Sequence, residues 1–417
     1  MPITFAEIKR RFEQEQANPI TPTTAADMPP TYESITPAWL TAVLGRDVPG
    51  AEVLAHELGP RDDGTSNRRF IYLGWNAAGQ QAGLPASVFC KGTQSLESRY
   101  MLGMNEGVQA EVNFYNVLYP EVDVIAPPPL FARYDADTLN SIIVLEDLRE
   151  QVDFCTMQTD LDFAHCQSQM RLLAQLHGKY YQSPELEGRL ACFSKWETFF
   201  RVTAFDAGFE DSCIRGFSEA AAVVPSRLFA REAEVWPATL RAADMHEVMP
   251  RHMTHNDVHL KNWFIRPDGE MGINDWQNAA QGNGSRDLAY CIATAVVPEK
   301  RRAWERELLA YYIEELAARG GPRLDFDQLF SWYRQQLFAA LAWWSGTLGQ
   351  PPEAPKMQPP ETSLEFIRRT CVAIDDLDAL DSCGSRPASA RAAAERWHAN
   401  AGNRRPPRRT TPRSGSA

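Results

Sequence analysis

The 417-residue chain is short of four things, and each shortage removes a class of protein. It has no run of the roughly 18 apolar residues that a membrane-spanning helix requires. The nearest stretch, uncharged from Gln335 to Pro352, is broken by Gln335, Gln336, Ser345 and several turn formers. No apolar core stands near the start, where Glu7, Lys9, Arg10 and Arg11 occur instead, so a signal peptide is not expected. The eight cysteines, scattered from Cys90 to Cys383, contain no Cys-x-x-Cys pair, and no histidine cluster has ligand spacing. Neither a disulfide framework nor a zinc site is expected, and a reducing cytoplasm fits best. The chain also lacks positive charge: 42 Lys and Arg against 54 Asp and Glu give a formal net charge of −12, which argues against a nucleic-acid-binding face.

What is present is ordinary globular material, 44% hydrophobic and 23% charged, enough for two or three folded units or one bilobal unit with extensions. Phe5, Ile8 and Phe12 recur at helical spacing within residues 4 to 16, and a Pro/Thr-rich connector runs from Asn18 to Pro30. Thr36-Pro37 reads as a helix start, with Trp39, Leu40, Val43 and Leu44 as its apolar face and Gly45 as its stop. The short apolar runs Val53-Leu54, Phe70 to Trp75 and Ser87 to Cys90 then predict a small antiparallel sheet. Between the first two lies the polar turn Gly59 to Asn67, rich in exposed backbone amides of the kind that cover phosphates, although most such turns only join strands. Lys91 ends the third run. Glu111 lies on a helix whose apolar positions Val108, Val112, Tyr115 and Leu118 share a face, and it can partner Lys91; Glu106 is the competing partner.

A buried strand, Ser141 to Leu145, leads into Glu146-Asp147-Leu148. Beyond it the chain reads as mostly helical. Helices are expected from Leu161 to Tyr181, Pro298 to Arg319, Asp325 to Trp344 and Thr362 to Leu380, and helices and loops bearing Trp196, Phe199, Phe200, Phe205 and Phe209 fill residues 193 to 249. The Pro- and Arg-rich tail from Asn403 has no apolar anchor and should be disordered.

The chemistry concentrates in His255-Asn256-Asp257-Val258-His259-Leu260-Lys261-Asn262, followed thirteen residues later by Asp275 in Ile273-Asn274-Asp275-Trp276. A carboxylate, an amide and a second carboxylate are what phosphoryl transfer needs: one group to orient a hydroxyl and accept its proton, two to hold Mg²⁺ against nucleotide phosphates. With Gly284 to Tyr290 after it, this run resembles the loops of the aminoglycoside phosphotransferase group, which includes choline kinases and ecdysteroid-kinase-like proteins. The resemblance covers about Thr36 to Asp381.

It implies an α+β, bilobal protein-kinase-like fold with a small antiparallel-sheet N-lobe and a larger, mainly helical C-lobe. Residues 1–35 would form an arm and linker, 36–147 the N-lobe, 148–384 the C-lobe, and 385–417 a short helix and the basic tail. Asp257 would be the catalytic base, and Asn262 and Asp275 the metal ligands. Lys91, held by Glu111, would lie over the α- and β-phosphates beneath Gly64, Ser66 and Asn67, and backbone groups near Glu146 and Leu148 would meet adenine. His255, His177 and Asp287 would be structural. The implied activity is transfer of a phosphoryl group from ATP, with Mg²⁺, to a small-molecule alcohol; a non-catalytic nucleotide-binding protein of the same fold is the alternative, and a protein kinase is less favoured. The acceptor stays open among choline-like, aminoglycoside-like, sterol-like and sugar alcohols. Trp332, Tyr333, Trp343 and Trp344 either wall a pocket or fill the core, and Asp206, Glu210 and Asp211 either meet an amine or are solvated. Oligomeric state is not set by any pattern seen here.

Overall fold

Apolar residues alternate along the strands of the first lobe, and the alternation decides what faces the cleft. The computed structural model describes residues 3–103, 107–206, 208–351 and 357–382. Glu106, the segment 385–417 and the side chains of Phe205 and Asp206 lie outside the described residues. The chain begins with α1 (Phe5–Ala17) and α2 (Pro37–Leu44), then β1 (Val53–Leu58), β2 (Asp62–Asp63), β3 (Asn67–Trp75), α3 (Ala77–Gln81), β4 (Ser87–Gly92), α4 (Leu96–Gly103), α5 (Gly107–Asn113), β5 (Pro129–Asp135) and β6 (Asn140–Glu146). The sheet is antiparallel, in the order β1-β3-β4-β6-β5, with β2 paired to β3. On one face Val88 and Cys90 of β4 are wholly buried with Ile71, Ile142 and Val144 against Trp39 and Leu40 of α2. The other face therefore receives Phe89 and Lys91, whose register partners on β6 are Leu145 and Ile143.

α2 begins where the sequence places it: Thr36 Oγ1 accepts from Trp39 N at 3.1 Å, Pro37 opens the helix and Gly45 caps it. The N-terminal arm is packed rather than loose. Ile8 of α1 is wholly buried, Arg11 donates to the Ala136 carbonyl at 2.8 Å, and Glu15 pairs with the wholly buried Arg99 of α4. Tyr32 donates its hydroxyl to the Asn67 carbonyl at 2.8 Å, which ties the arm to the strand behind the polar turn.

The second lobe adds β7 (Asp153–Phe154), α6 (Phe163–Lys179), α7 (Trp196–Arg201), α8 (Phe209–Glu219), α9 (Ser226–Phe229), α10 (Glu232–Met245), β8 (His252–Thr254), β9 (Trp263–Ile265), β10 (Met271–Ile273), β11 (Ala280–Gly282), α11 (Ser285–Ala295), α12 (Pro298–Ala318), α13 (Phe326–Leu348), α14 (Pro360–Asp376) and α15 (Ala379–Ser382). The short strands form two small antiparallel sheets, β10-β9-β7 and β11-β8, which carry the loops of the cleft. The expected helix from Leu161 to Tyr181 is shorter at both ends, starting after Asp162, whose carboxylate accepts from His165 N at 2.9 Å. β5, which opens on Pro129 after Pro127 and Pro128, and the three-residue strands escaped the sequence reading: prolines argue against a strand, and three residues carry almost no period.

α8 and α13 cross with almost no space between them. A Cβ added at Gly216 would fall on the Ser345 carbonyl oxygen and lie 2.7 Å from Gly349 N. That crossing sets Phe209 and Trp343, whose ring centroids are 5.0 Å apart. Gly216→Ala is expected to destabilise the fold by about 1–3 kcal/mol through overpacking, read as a lower denaturant midpoint at unchanged slope; an unchanged midpoint would rule out so close a crossing.

Candidate active site

Lys91 projects from β4 into the cleft and meets two carboxylates. Its Nζ lies 2.7 Å from Glu111 Oε2 on α5 and 2.5 Å from Asp275 Oδ1 in the second lobe. Burial works against the ammonium, but the carboxylates outweigh it and hold its pKa above the ordinary value. Burial also pushes Glu111 up, with Lys91 opposing. For Asp275 the balance reverses: Lys91, with help from Arg68, overcomes burial and holds the carboxyl below its ordinary range. Glu111 also accepts from Trp276 N at 3.4 Å, and Phe114 stacks on Trp276 at 3.6 Å, so α5 is oriented by both lobes.

The catalytic-loop candidates leave β8 through a tight reversal. Asn256 sits at φ 66°, in the left-handed region that asparagine tolerates better than most residues. Its Nδ2 donates to Thr254 Oγ1 at 2.9 Å and to the Asn278 carbonyl at 3.0 Å. Asp257 N donates to His255 Nδ1 at 3.2 Å, so that nitrogen is the acceptor and Nε2 carries the proton it gives to the Asn274 carbonyl at 2.9 Å. His255 therefore braces the loop, as expected of it. Asp287, wholly buried near the start of α11, accepts from His255 N, Asn256 N and His177 Nε2.

Asp257 faces the cleft. Burial first, and the Asp275 charge second, push its carboxyl up to about 7, while Arg286 and the Tyr290 hydroxyl act the other way. Tyr290 donates to Asp257 Oδ1 at 3.3 Å, and His259 Nε2 lies 3.7 Å from the same oxygen. The sequence reading missed Tyr290; the available signal was its place three residues after Asp287, on one face of one helix.

A cavity of about 770 Å³ joins these groups. Gly64, Ser66, Lys91, Glu111, Glu146, Leu148, Asp257, Asn262 and Asp275 all line it. Asn67 does not: its Oδ1 accepts from Gln94 N at 2.8 Å and Ser95 N at 2.9 Å, and its Nδ2 donates to Asp63. It fixes the turn's base instead of facing phosphate. At the hinge the Leu148 carbonyl accepts from Gln151 N at 2.9 Å and Val152 N at 3.2 Å. Of the aromatic candidates, Trp343 and Trp344 line the cavity with Phe199 and Phe209, whereas Tyr333 is core and bonds Glu305. Trp332, Glu210 and Asp211 lie off the cavity.

The donor set suits Mg²⁺. Among the described residues no group of three or more His, Cys, Asp and Glu could hold a metal. Asn262 Nδ2 donates to the Asp257 carbonyl at 2.8 Å, which turns its Oδ1, the atom an amide offers to a cation, the opposite way. One amide oxygen and one carboxylate match a cation that keeps waters and takes substrate phosphates.

A small antiparallel sheet over a helical lobe, with a lysine–glutamate pair and a carboxylate loop at their junction, defines a protein-kinase-like fold. The chain matches the ecdysteroid kinase-like family over residues 76–320, and it belongs to that family. No curated protein matches it. Among solved structures it is similar to a choline kinase from Cryptosporidium parvum Iowa II, at 10% identity and a TM-score of 0.50, over 82% of this chain and 96% of that one. An ethanolamine kinase from Plasmodium vivax (11% identity, TM-score 0.44, 91% and 98% covered) and a macrolide 2′-phosphotransferase from Brachybacterium faecium (17%, 0.40, 75% and 99%) are more distant in shape. Among the described residues no helix is long and apolar enough to cross a membrane.

The buried imidazoles make the fold acid-sensitive. Burial is the main cause that pushes His246, His252 and His259 down to about 3 and His255 to about 4, from an ordinary value of 6.5. Below pH 6.5 the unfolded chain takes up protons these groups refuse in the fold, so their contribution is lost as pH falls toward 3–4. Asp257 has the opposite sign, since its folded value near 7 exceeds the ordinary 3.8. Glu111 and Glu197 are raised as well, so three carboxyls oppose four imidazoles, and because the imidazoles start from 6.5 a net loss of stability is expected between pH 7 and pH 5. Urea midpoints measured at the two pH values check it, and equal midpoints would contradict the burial of these rings.

Proposed function

We propose that the chain is an ATP- and Mg²⁺-dependent phosphotransferase that moves the γ-phosphoryl group to a hydroxyl of a small molecule. The observation that carries this reading is the single cavity shared by Lys91, Asp257, Asn262 and Asp275. In it the base stacks between the lobes against the hinge, where the Leu148 N–H serves as donor. Lys91 compensates the α- and β-phosphates under the turn at Gly64 and Ser66. Asn262 and Asp275 would hold Mg²⁺, which offsets phosphate charge when bound. Asp257 accepts the proton of the acceptor hydroxyl as that oxygen bonds to the γ-phosphorus, and a carboxyl near 7 is well matched to this task at neutral pH.

The acceptor's body packs on Phe199, Phe209, Trp343 and Trp344. The described residues that reach the cavity from α7, α8, α11 and α13 include no carboxylate. That favours an uncharged acceptor over a polycationic one, because a buried amine needs a carboxylate partner.

Asp257→Asn is expected to lower turnover by roughly 10²- to 10⁴-fold while nucleotide still binds, assayed as ATP consumption across amino alcohols, aminoglycosides, sterols and sugars. Turnover retained in that variant would sink the assignment of the base. Asp275→Ala should abolish the Mg²⁺ dependence of nucleotide binding in titration calorimetry, and an unchanged affinity would count against its role as a ligand.

A further inference from the structure

Lys261 stands beside Asn262, and the function above leaves it unused. Each of the other five described lysines, Lys9, Lys91, Lys179, Lys195 and Lys300, pairs with a carboxylate. Lys261 has no such partner among the described residues. Its Nζ donates to Gln358 Oε1 at 2.6 Å, it is half-buried, and it lines the cavity. A cation kept in a cleft without a counter-charge has given up hydration for something that is not yet there.

Two neighbouring contacts locate it. Met357, next to Gln358, accepts the Thr65 hydroxyl at its sulfur at 3.7 Å. Thr65 lies between Gly64 and Ser66, so Lys261 reaches the gap between the phosphate-covering turn and the catalytic loop. From the turn's other side Arg68 lines the same cavity; it bonds Asp62 and packs against Gly64. The turn, the base Asp257 and the ligands Asn262 and Asp275 surround this gap, which is where a transferring phosphoryl group must sit.

We propose that Lys261, with Arg68 facing it from the N-lobe, is a catalytic residue that contacts the γ-phosphoryl group and compensates its charge during transfer. The proposal rests on the phosphotransferase reading and adds a residue to it. As the acceptor oxygen bonds to the γ-phosphorus, the bond from that phosphorus to the β-phosphate oxygen breaks. The electron pair stays on the β-phosphate oxygen, the acceptor's proton goes to Asp257, and Lys261 exchanges Gln358 for the equatorial oxygens.

Lys261→Met keeps the stem and removes the charge, and Lys261→Arg restores the charge. Calorimetry on the full chain with Mg²⁺ compares ADP with the non-hydrolysable β,γ-imido analogue of ATP. The Met variant is expected to bind ADP like the wild type, which also reports that it is folded, and to lose about tenfold or more in affinity for the triphosphate analogue. The Arg variant should recover most of it. Unchanged affinity of the Met variant for the analogue, or a parallel loss for both nucleotides, overturns the proposal. A wild-type chain that binds neither nucleotide overturns the phosphotransferase reading itself, and this proposal with it.

Discussion

Asp287 accepts three hydrogen bonds where no water reaches, from His255 N at 2.8 Å, Asn256 N at 2.9 Å and His177 Nε2 at 3.2 Å. Burial alone would raise this carboxyl, yet His177 and Arg286 outweigh it and hold the pKa at about 2. Two of the three donors are consecutive peptide groups, so the carboxylate grips the backbone where the loop turns left-handed at Asn256. Arg286 closes the arrangement from behind: it donates to the Asn256 carbonyl at 2.6 Å and lies 3.8 Å over Trp196. That grip sets the start of the loop carrying Asp257 and Asn262, with Tyr290 of α11 holding Asp257 and β9 following Asn262 directly.

The second constraint joins the lobes. Lys91 belongs to the sheet, Glu111 to the helix packed beside it, and Asp275 to the C-lobe. Lys91 bridges the lobes through these two carboxylates, and removing it would leave both buried without a counter-charge. The cleft therefore has a defined width before any ligand enters. Asp275 at φ 62° contributes to this, turning the chain so that its carboxylate points at the sheet while Trp276 turns to Phe114 and Glu111.

Most of the site was legible because its chemistry is packed into short runs. Asp257, Asn262 and Asp275 sit close in sequence, and Lys91 and Glu111 sit at readable positions of a strand and a helix. What could not be read depends on pairing across distance. Asn67 resembles a phosphate-facing residue because it ends a polar turn, but the two amides it accepts from lie 27 and 28 residues away, beyond the next strand. The aromatic residues of α13 all carry the helical period, and only the crossing with α8 separates Tyr333 in the core from Trp343 in the cavity. The fold followed the same rule. α2, with its cap, proline and stop, was placed within a residue, whereas β8 to β11 are three residues each and owe their existence to partners rather than to pattern.

A formal charge of −12 says little about a site like this one. At physiological salt an exposed carboxylate is screened within about 8 Å, so the acidic exterior scarcely reaches a cleft walled by protein. Inside it the field belongs to a few groups at short range, with Arg68, Lys91, Arg149 and Lys261 set among the carboxylates Asp62, Glu111, Asp147, Asp257 and Asp275. The helices of the second lobe bring rings, Phe199, Phe209, Trp343 and Trp344, to the same cavity. What such a cavity takes up is decided by how its local charges are paired and placed, and not by the sum over the chain.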